Sequence, residues 1–176
     1  MDKHGTYTLH TGRSMPMIGL GTWQLTDSTA GAVAHAIAIG YRMIDTSGDY
    51  GTQPGIADAI KQSGTSRDKL FVVTKVEEHE NAYESAKKQV RELRIDYADL
   101  ILIHRPPPSG AGKDLWQGLI RAKAEGITKD IGISNYSAEQ TQALLDAFDE
   151  KPVVNQIEWS PFGYSDKMQQ YAEEHN

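Results

Sequence analysis

Cysteine is absent from the 176 residues, which excludes a disulfide scaffold, a thiolate metal site and a cysteine nucleophile. The absence fits a reducing compartment. The polar opening MDKHGTYTLHTG lacks the apolar stretch of a signal peptide, so a cytoplasmic protein is the expectation. Positive charge is scarce as well: 18 Lys and Arg against 24 Asp and Glu leave a net charge of -6. Phosphate-binding surfaces need clustered positive charge, so neither nucleic acid nor an anionic membrane is expected as a partner. No long uninterrupted apolar run occurs, yet the 39% apolar content suffices for one sizeable core, and residues 1–176 read as a single domain. The six histidines show no H-E-x-x-H or other paired ligand spacing, so no metal is expected; His79 and Glu80 read as a charged loop.

What is present is a regular alternation. Short apolar runs at Met17 to Leu20, Tyr41 to Ile44, Leu70 to Thr74, Leu100 to Ile103, Ile131 to Ile133 and Val153 to Ile157 have the length and composition of buried strands. Between them lie helix-patterned stretches. Ser28 is positioned to cap the first, with Val33 and Ile37 on one face and Gly40 closing it, and a second runs toward Gly64. Asn81 caps a third with Ala82, Ala86, Val90 and Leu93 in one stripe; Leu115 and Leu119 mark a fourth that stops at Gly126. Ser137 and Gln140 have capping-box spacing for a fifth, and Ser165 opens a sixth. Such alternation implies a parallel sheet with right-handed crossovers, doubly wound or closed as a barrel. Gly19-Leu20-Gly21-Thr22-Trp23 lacks the third glycine of a dinucleotide fingerprint, which favours the barrel.

The strand ends carry polar chemistry that core packing does not explain. Asp45, Lys75, His104 and the pair Ser134 and Asn135 each follow an apolar run directly, and Gln156 lies within the last one. In a barrel all of them converge on the C-terminal face, where active sites of that fold lie.

Gly40-Tyr41-Arg42-Met43-Ile44-Asp45-Thr46 with Tyr50 beyond it, Thr74-Lys75, Leu102-Ile103-His104, Gly132-Ile133-Ser134-Asn135 and Asn155-Gln156-Ile157-Glu158 together resemble the aldo-keto reductases, in that family's order. The resemblance spans nearly the whole chain. It implies an α/β fold of the (β/α)8 TIM-barrel type, with an N-terminal β-hairpin at Tyr7 to Pro16 plugging the bottom and about six of the eight units present. The family's last two units, which stack an aromatic on the nicotinamide and grip the pyrophosphate and 2'-phosphate, have no counterpart in the sequence.

By the same resemblance, the activity is NADPH-dependent reduction of aldehydes and ketones, with NADH not excluded. Tyr50 would be the general acid, Lys75 the cation that favours its phenolate, Asp45 the carboxylate that holds Lys75, and His104 the group that orients the carbonyl oxygen. Ser134, Asn135 and Gln156, with Asp45, match positions that hold the cofactor, and Trp23 with His104 matches the wall of the substrate pocket. Trp159 suits supporting packing or a substrate contact equally. The partner would be a small-molecule carbonyl compound; no mark of oligomeric state is legible. Two departures stand out. Arg105 follows His104 where many relatives have an aromatic, and Gly51-Thr52-Gln53-Pro54 replaces the usual Gly-Asn-Glu after the tyrosine. A solvated loop or a preference for acidic substrates are the two readings of Arg105. The alternative function is a non-catalytic binding or regulatory protein of the same fold, or an inactive remnant.

Overall fold

A computed structural model describes residues 5–175. Its first element is a hairpin, β1 (Thr6–Thr8) antiparallel to β2 (Ser14–Pro16), with Tyr7 opposite Met15. The chain reverses where Gly12 takes a φ of 83°, a left-handed conformation that glycine adopts without the Cβ penalty.

Six parallel strands follow in strict chain order: β3 (Gly19–Gly21), β4 (Met43–Asp45), β5 (Phe71–Val76), β6 (Ala98–Ile103), β7 (Thr128–Ser134) and β8 (Asn155–Gln156). Helices α1 (Thr29–Ala38), α2 (Gln53–Ser63), α3 (Ala82–Glu92), α4 (Lys113–Ala124) and α5 (Ala138–Leu145) connect them, and α6 (Asp166–Glu174) follows β8. A doubly wound sheet reverses its strand order at a switch point; this one does not. In a flat sheet, strands about 4.8 Å apart would put β4 and β8, four steps removed, roughly 19 Å from each other. Yet Gln156 Nε2 donates to Asp45 Oδ2 at 2.7 Å. The sheet is therefore curled on itself, a partial barrel in which β3 and β8 are each paired on one side among the described residues.

Period-2 alternation divides the strands between two environments. Val72 and Ile44 pack with Val33, Ile37 and Ile56 of the helices, while Ile101, Ile103 and Ile131 pack with Ala86, Leu115 and Trp116. The opposite set, Phe71, Val73, Leu100 and Leu102, fills the concave interior together with Met15 of the hairpin, Met43 and Val154. Gly132 belongs to this interior set, and a Cβ there would meet Leu102 Cδ2 and the Val154 carbonyl at 2.8 Å. The interior is thus packed at its lower end and has no room for a side chain at that position.

The punctuation holds at most helix ends. The Asn81 side chain accepts from Glu84 N, Ser165 accepts from Met168 N, and Ser137 with Gln140 completes the capping box. Ala82, Ala86, Val90 and Leu93 are all buried. Ser28 departs from expectation. A 3-10 turn at Thr26–Ser28 runs straight into α1, so Ser28 already has helical φ and ψ and its hydroxyl donates back to the Leu25 carbonyl at 3.2 Å. The first strand also starts later than expected, because Met17 N bonds to the Gly5 carbonyl at the hairpin instead. No helix among the described residues is long and apolar enough to cross a membrane.

Candidate active site

The interior-facing series of each strand continues beyond its apolar residues into polar ones. Met43 leads to Asp45 and Ser47; Phe71 and Val73 lead to Lys75 and Glu77; Leu100 and Leu102 lead to His104; Gly132 leads to Ser134. Strand periodicity therefore delivers these side chains to one place, the C-terminal rim of the curled sheet. The other end of the strands is closed by Arg13 of the hairpin, which reaches Asp99 at 2.8 Å and Asp130 at 3.1 Å.

Lys75 is 2% exposed, and a buried ammonium needs partners to offset its lost hydration. It has them in the carboxylate of Asp45 and, at 2.8 Å, the Thr46 carbonyl. Asp45 in turn accepts from Gln156 through its second oxygen. Its carboxylate is thereby fixed between a cation and an amide.

Tyr50 projects from the loop after β4. Gly48 in that loop lets Gln89 approach closely, since a Cβ there would lie 2.2 Å from Gln89 Nε2 and the amide would have to move. Gln53 donates to the Ser47 carbonyl at 2.8 Å and to Gln89 Oε1 at 2.9 Å, so the glutamine that departs from the family pattern anchors the loop through a buried amide pair. Pro54 sits harmlessly in the first turn of α2. Behind the loop a hydroxyl chain runs from Thr22 to Thr52 at 3.1 Å and from Thr52 to Thr46 at 2.8 Å.

The Tyr50 ring meets Lys75 Nζ at 5.2 Å from its centroid and the His104 ring edge-on at 5.7 Å. Its hydroxyl makes no hydrogen bond among the described residues. The expected drift toward phenolate does not appear: burial first, then the charges of Asp45 and Asp49, push the phenol up to about 12. Lys75 is engaged with Asp45, so its charge does not outweigh the carboxylates around the ring. Tyr50 is consequently a protonated donor at neutral pH.

His104 is 5% exposed. Its Nδ1 lies 2.8 and 3.0 Å from the two oxygens of Glu77 and 3.2 Å from Ser47 Oγ, which itself donates to Glu77 at 2.9 Å. Neither Glu77 nor Ser47 was singled out from the sequence. The signal was there, in the two-residue step from Lys75 to Glu77 and from Asp45 to Ser47, but the run Glu77-Glu78-His79-Glu80 reads as a charged loop. Burial opposes charge on Glu77, yet hydrogen bonds from His104 and Ser47 prevail and hold its carboxyl below the usual value of 4.5. Arg105 is half-exposed, with Nη1 3.6 Å from the same carboxylate. The ligand atoms of Asp49, Glu77 and His104 lie within 4.8 Å of one another, but a cation on Nδ1 would have to displace the hydrogen bond to Glu77.

Ser134, Asn135 and Gln156 are brought together beside this set. Ser134 Oγ donates to the Gln156 carbonyl at 2.8 Å, and Asn135 Nδ2 donates to the His104 carbonyl and to Ser134 Oγ, each at 3.1 Å. Asn135 has a φ of 61°, a conformation that asparagine tolerates better than most residues. The Gln156 amide and the Asn135 side chain are exposed at the rim; with Asn135 Nδ2 engaged twice and Gln156 Nε2 once, the groups left for a ligand are their side-chain carbonyl oxygens and the second Gln156 N–H. Trp23 and Trp159 are 67% and 54% exposed, and no hydrogen bond or ring contact joins either to Tyr50 or His104.

The Aldo/keto reductase family model matches residues 17–176. An aldo-keto reductase of Mycobacterium tuberculosis is 38% identical over 174 residues, which cover 96% of this chain and 62% of that protein. Methylglyoxal reductase DkgA of Escherichia coli is 36% identical over 157 residues, 87% of this chain and 57% of the relative. The chain thus spans about three fifths of the length of these curated relatives. Among solved structures, an aldo/keto reductase from Brucella melitensis superposes with a TM-score of 0.92 at 36% identity, over 98% of this chain and 68% of that one. A Bombyx mori aldo-keto reductase in complex with NADP gives 0.92 at 29% identity, over 99% and 64%. The chain belongs to the aldo/keto reductase family.

Proposed function

We propose that the protein reduces the carbonyl of small aldehydes or ketones to an alcohol, with NADPH as the reductant. The observation that carries the reading is the convergence of Asp45, Tyr50, Lys75 and His104 at the C-terminal ends of β4, β5 and β6, with Lys75 paired to Asp45 and the Tyr50 ring within 5.2 Å of its ammonium. When bound, the cofactor would supply a hydride to the carbonyl carbon. Ser134, Asn135 and Gln156 would hold its carboxamide through the amide and hydroxyl groups that the rim presents. NADPH is favoured because the Bombyx mori relative was solved with NADP.

The chain's own part is to neutralise the negative charge that accumulates on the carbonyl oxygen. Tyr50 Oη gives its proton to that oxygen and is left as phenolate; the Lys75 ammonium stabilises the anion, and Asp45 keeps the ammonium charged and in place. His104 orients the oxygen. Lys75 already faces Asp45 and Arg105 already faces Glu77. That pairing favours neutral carbonyl substrates over the acidic ones that Arg105 suggests in isolation. The Escherichia coli relative is named a methylglyoxal reductase, which makes methylglyoxal the first substrate to try. A cytoplasmic setting suits a chain without cysteine.

Titrating the 176-residue chain with NADPH, while following tryptophan fluorescence, tests the reading. Trp23 and Trp159 lie in loops that follow strands at the rim, so saturable quenching is expected. A folded chain whose emission is unchanged by NADPH would overturn the proposal.

A further inference from the structure

Asp45 and Lys75 pair at the rim, and a further polar group stands two residues beyond each, Ser47 beyond Asp45 and Glu77 beyond Lys75, with His104 just past the end of β6. Ser47, Glu77 and His104 close on one another. Ser47 Oγ gives its proton to Glu77 Oε1 at 2.9 Å. The ring nitrogen facing both, Nδ1, lies 2.8 Å from that same oxygen and 3.0 Å from the other. An ionised carboxylate only accepts, and a serine hydroxyl has one proton to give. Nδ1 must therefore carry a proton. The causes that hold Glu77 below the ordinary carboxylate range, the hydrogen bonds from His104 and Ser47, keep the acceptor ionised at neutral pH.

The consequence falls on the other ring nitrogen. Nε2 makes no hydrogen bond among the described residues. In a neutral ring with its proton on Nδ1, Nε2 is an acceptor and cannot donate to a carbonyl oxygen; only the imidazolium donates from both nitrogens. Taking the reductase reading as its basis, we propose that Glu77 is a positioning residue that fixes the proton of His104 on Nδ1 and thereby commits the ring to meet the carbonyl oxygen as an imidazolium. His104 then adds positive charge as well as orientation at the oxygen.

Charged groups surround the ring. Glu77 is in contact, Asp49 Oδ1 lies 3.7 Å from Nδ1, and the Tyr50 ring packs edge-on. Lys75 is turned to Asp45, and Arg105 approaches the far oxygen of Glu77 at 3.6 Å without a hydrogen bond to it. On the remaining side Asn135, which is uncharged, holds the backbone carbonyl of His104. Two carboxylates thus border the ring, and the nearby cations Lys75 and Arg105 each approach a carboxylate, Asp45 and Glu77 respectively.

Nitrogen NMR of the wild-type chain with ring-labelled histidine tests this directly, with the His104 signals assigned by their loss in His104→Ala. Wild type should show Nδ1 protonated on both sides of the His104 titration, with Nε2 the nitrogen that gains the proton. Glu77→Ala should release the ring to the Nε2-protonated neutral form, and Glu77→Asp should restore the wild-type pattern. A neutral wild-type ring protonated on Nε2, or a pattern unaltered by Glu77→Ala, would overturn the proposal. A kinetic arm separates this from the reductase reading. In Glu77→Gln, kcat for methylglyoxal should fall about tenfold or more while NADPH affinity stays as in wild type. Absence of turnover in every form would count against the reductase reading and leave the NMR result to decide on Glu77.

Discussion

Glu77 shows how one side chain can link site chemistry to stability. Its carboxyl is held below 4.5 because His104 and Ser47 hydrogen-bond the charged form. The folded state therefore binds this proton less readily than the unfolded chain does. The resulting stabilisation is present above the unfolded value and is lost as pH falls through the lower folded value. Glu77→Gln should consequently flatten the acid limb of the stability curve below about pH 4.5, as read by urea unfolding at a series of pH values; an acid limb as steep as in wild type would contradict this. The candidate residues legible in the sequence were those that follow apolar runs abruptly, such as Lys75 and His104. Ser47 and Glu77 escaped notice because they lie just beyond the strands, where only the pleat of the preceding residues says which way they point.

Among the elements, α1 and α3 begin with different physics although both are preceded by a good capping residue. Asn81 accepts from Glu84 N at 3.1 Å, whereas the Ser28 hydroxyl turns back to Leu25 in a 3-10 turn. Asn81→Ala should cost about 1 kcal/mol, and Ser28→Ala a few tenths at most, by chemical denaturation. Equal losses would show that Ser28 caps after all. The contrast marks a limit of reading helix starts from composition: the Ser28 signal is local, but the backbone entering it is already helical. The strands were legible as apolar runs, with bounds shifted by a few residues where the hairpin claims Met17 and where β8 contains only Asn155–Gln156.

At the scale of the whole molecule, two polar ends bracket an apolar interior. The lower end is tied by Asp99, which accepts from Arg13 at 2.8 Å, from Arg67 at 2.7 Å and from Val72 N at 2.9 Å. It thereby joins the hairpin, the segment before β5 and the β5 backbone. Asp99→Ala strands these donors and should cost roughly 1–3 kcal/mol, with faster proteolysis of the hairpin; an unchanged unfolding midpoint would contradict that role. The barrel class was readable from strand and helix alternation, but the curl was not, because it rests on a contact between Asp45 and Gln156 that no local pattern encodes.

The upper end carries the central claim, that Tyr50 gives the proton in a hydride-transfer site. Its most direct test is the rate of NADPH oxidation with methylglyoxal by wild type and by Tyr50→Phe, with circular dichroism confirming equal folding. Loss of the proton donor should remove about a hundredfold or more of kcat while leaving NADPH affinity within twofold or so, since the phenol acts in the chemical step. A Tyr50→Phe protein that turns over at the wild-type rate would contradict the account.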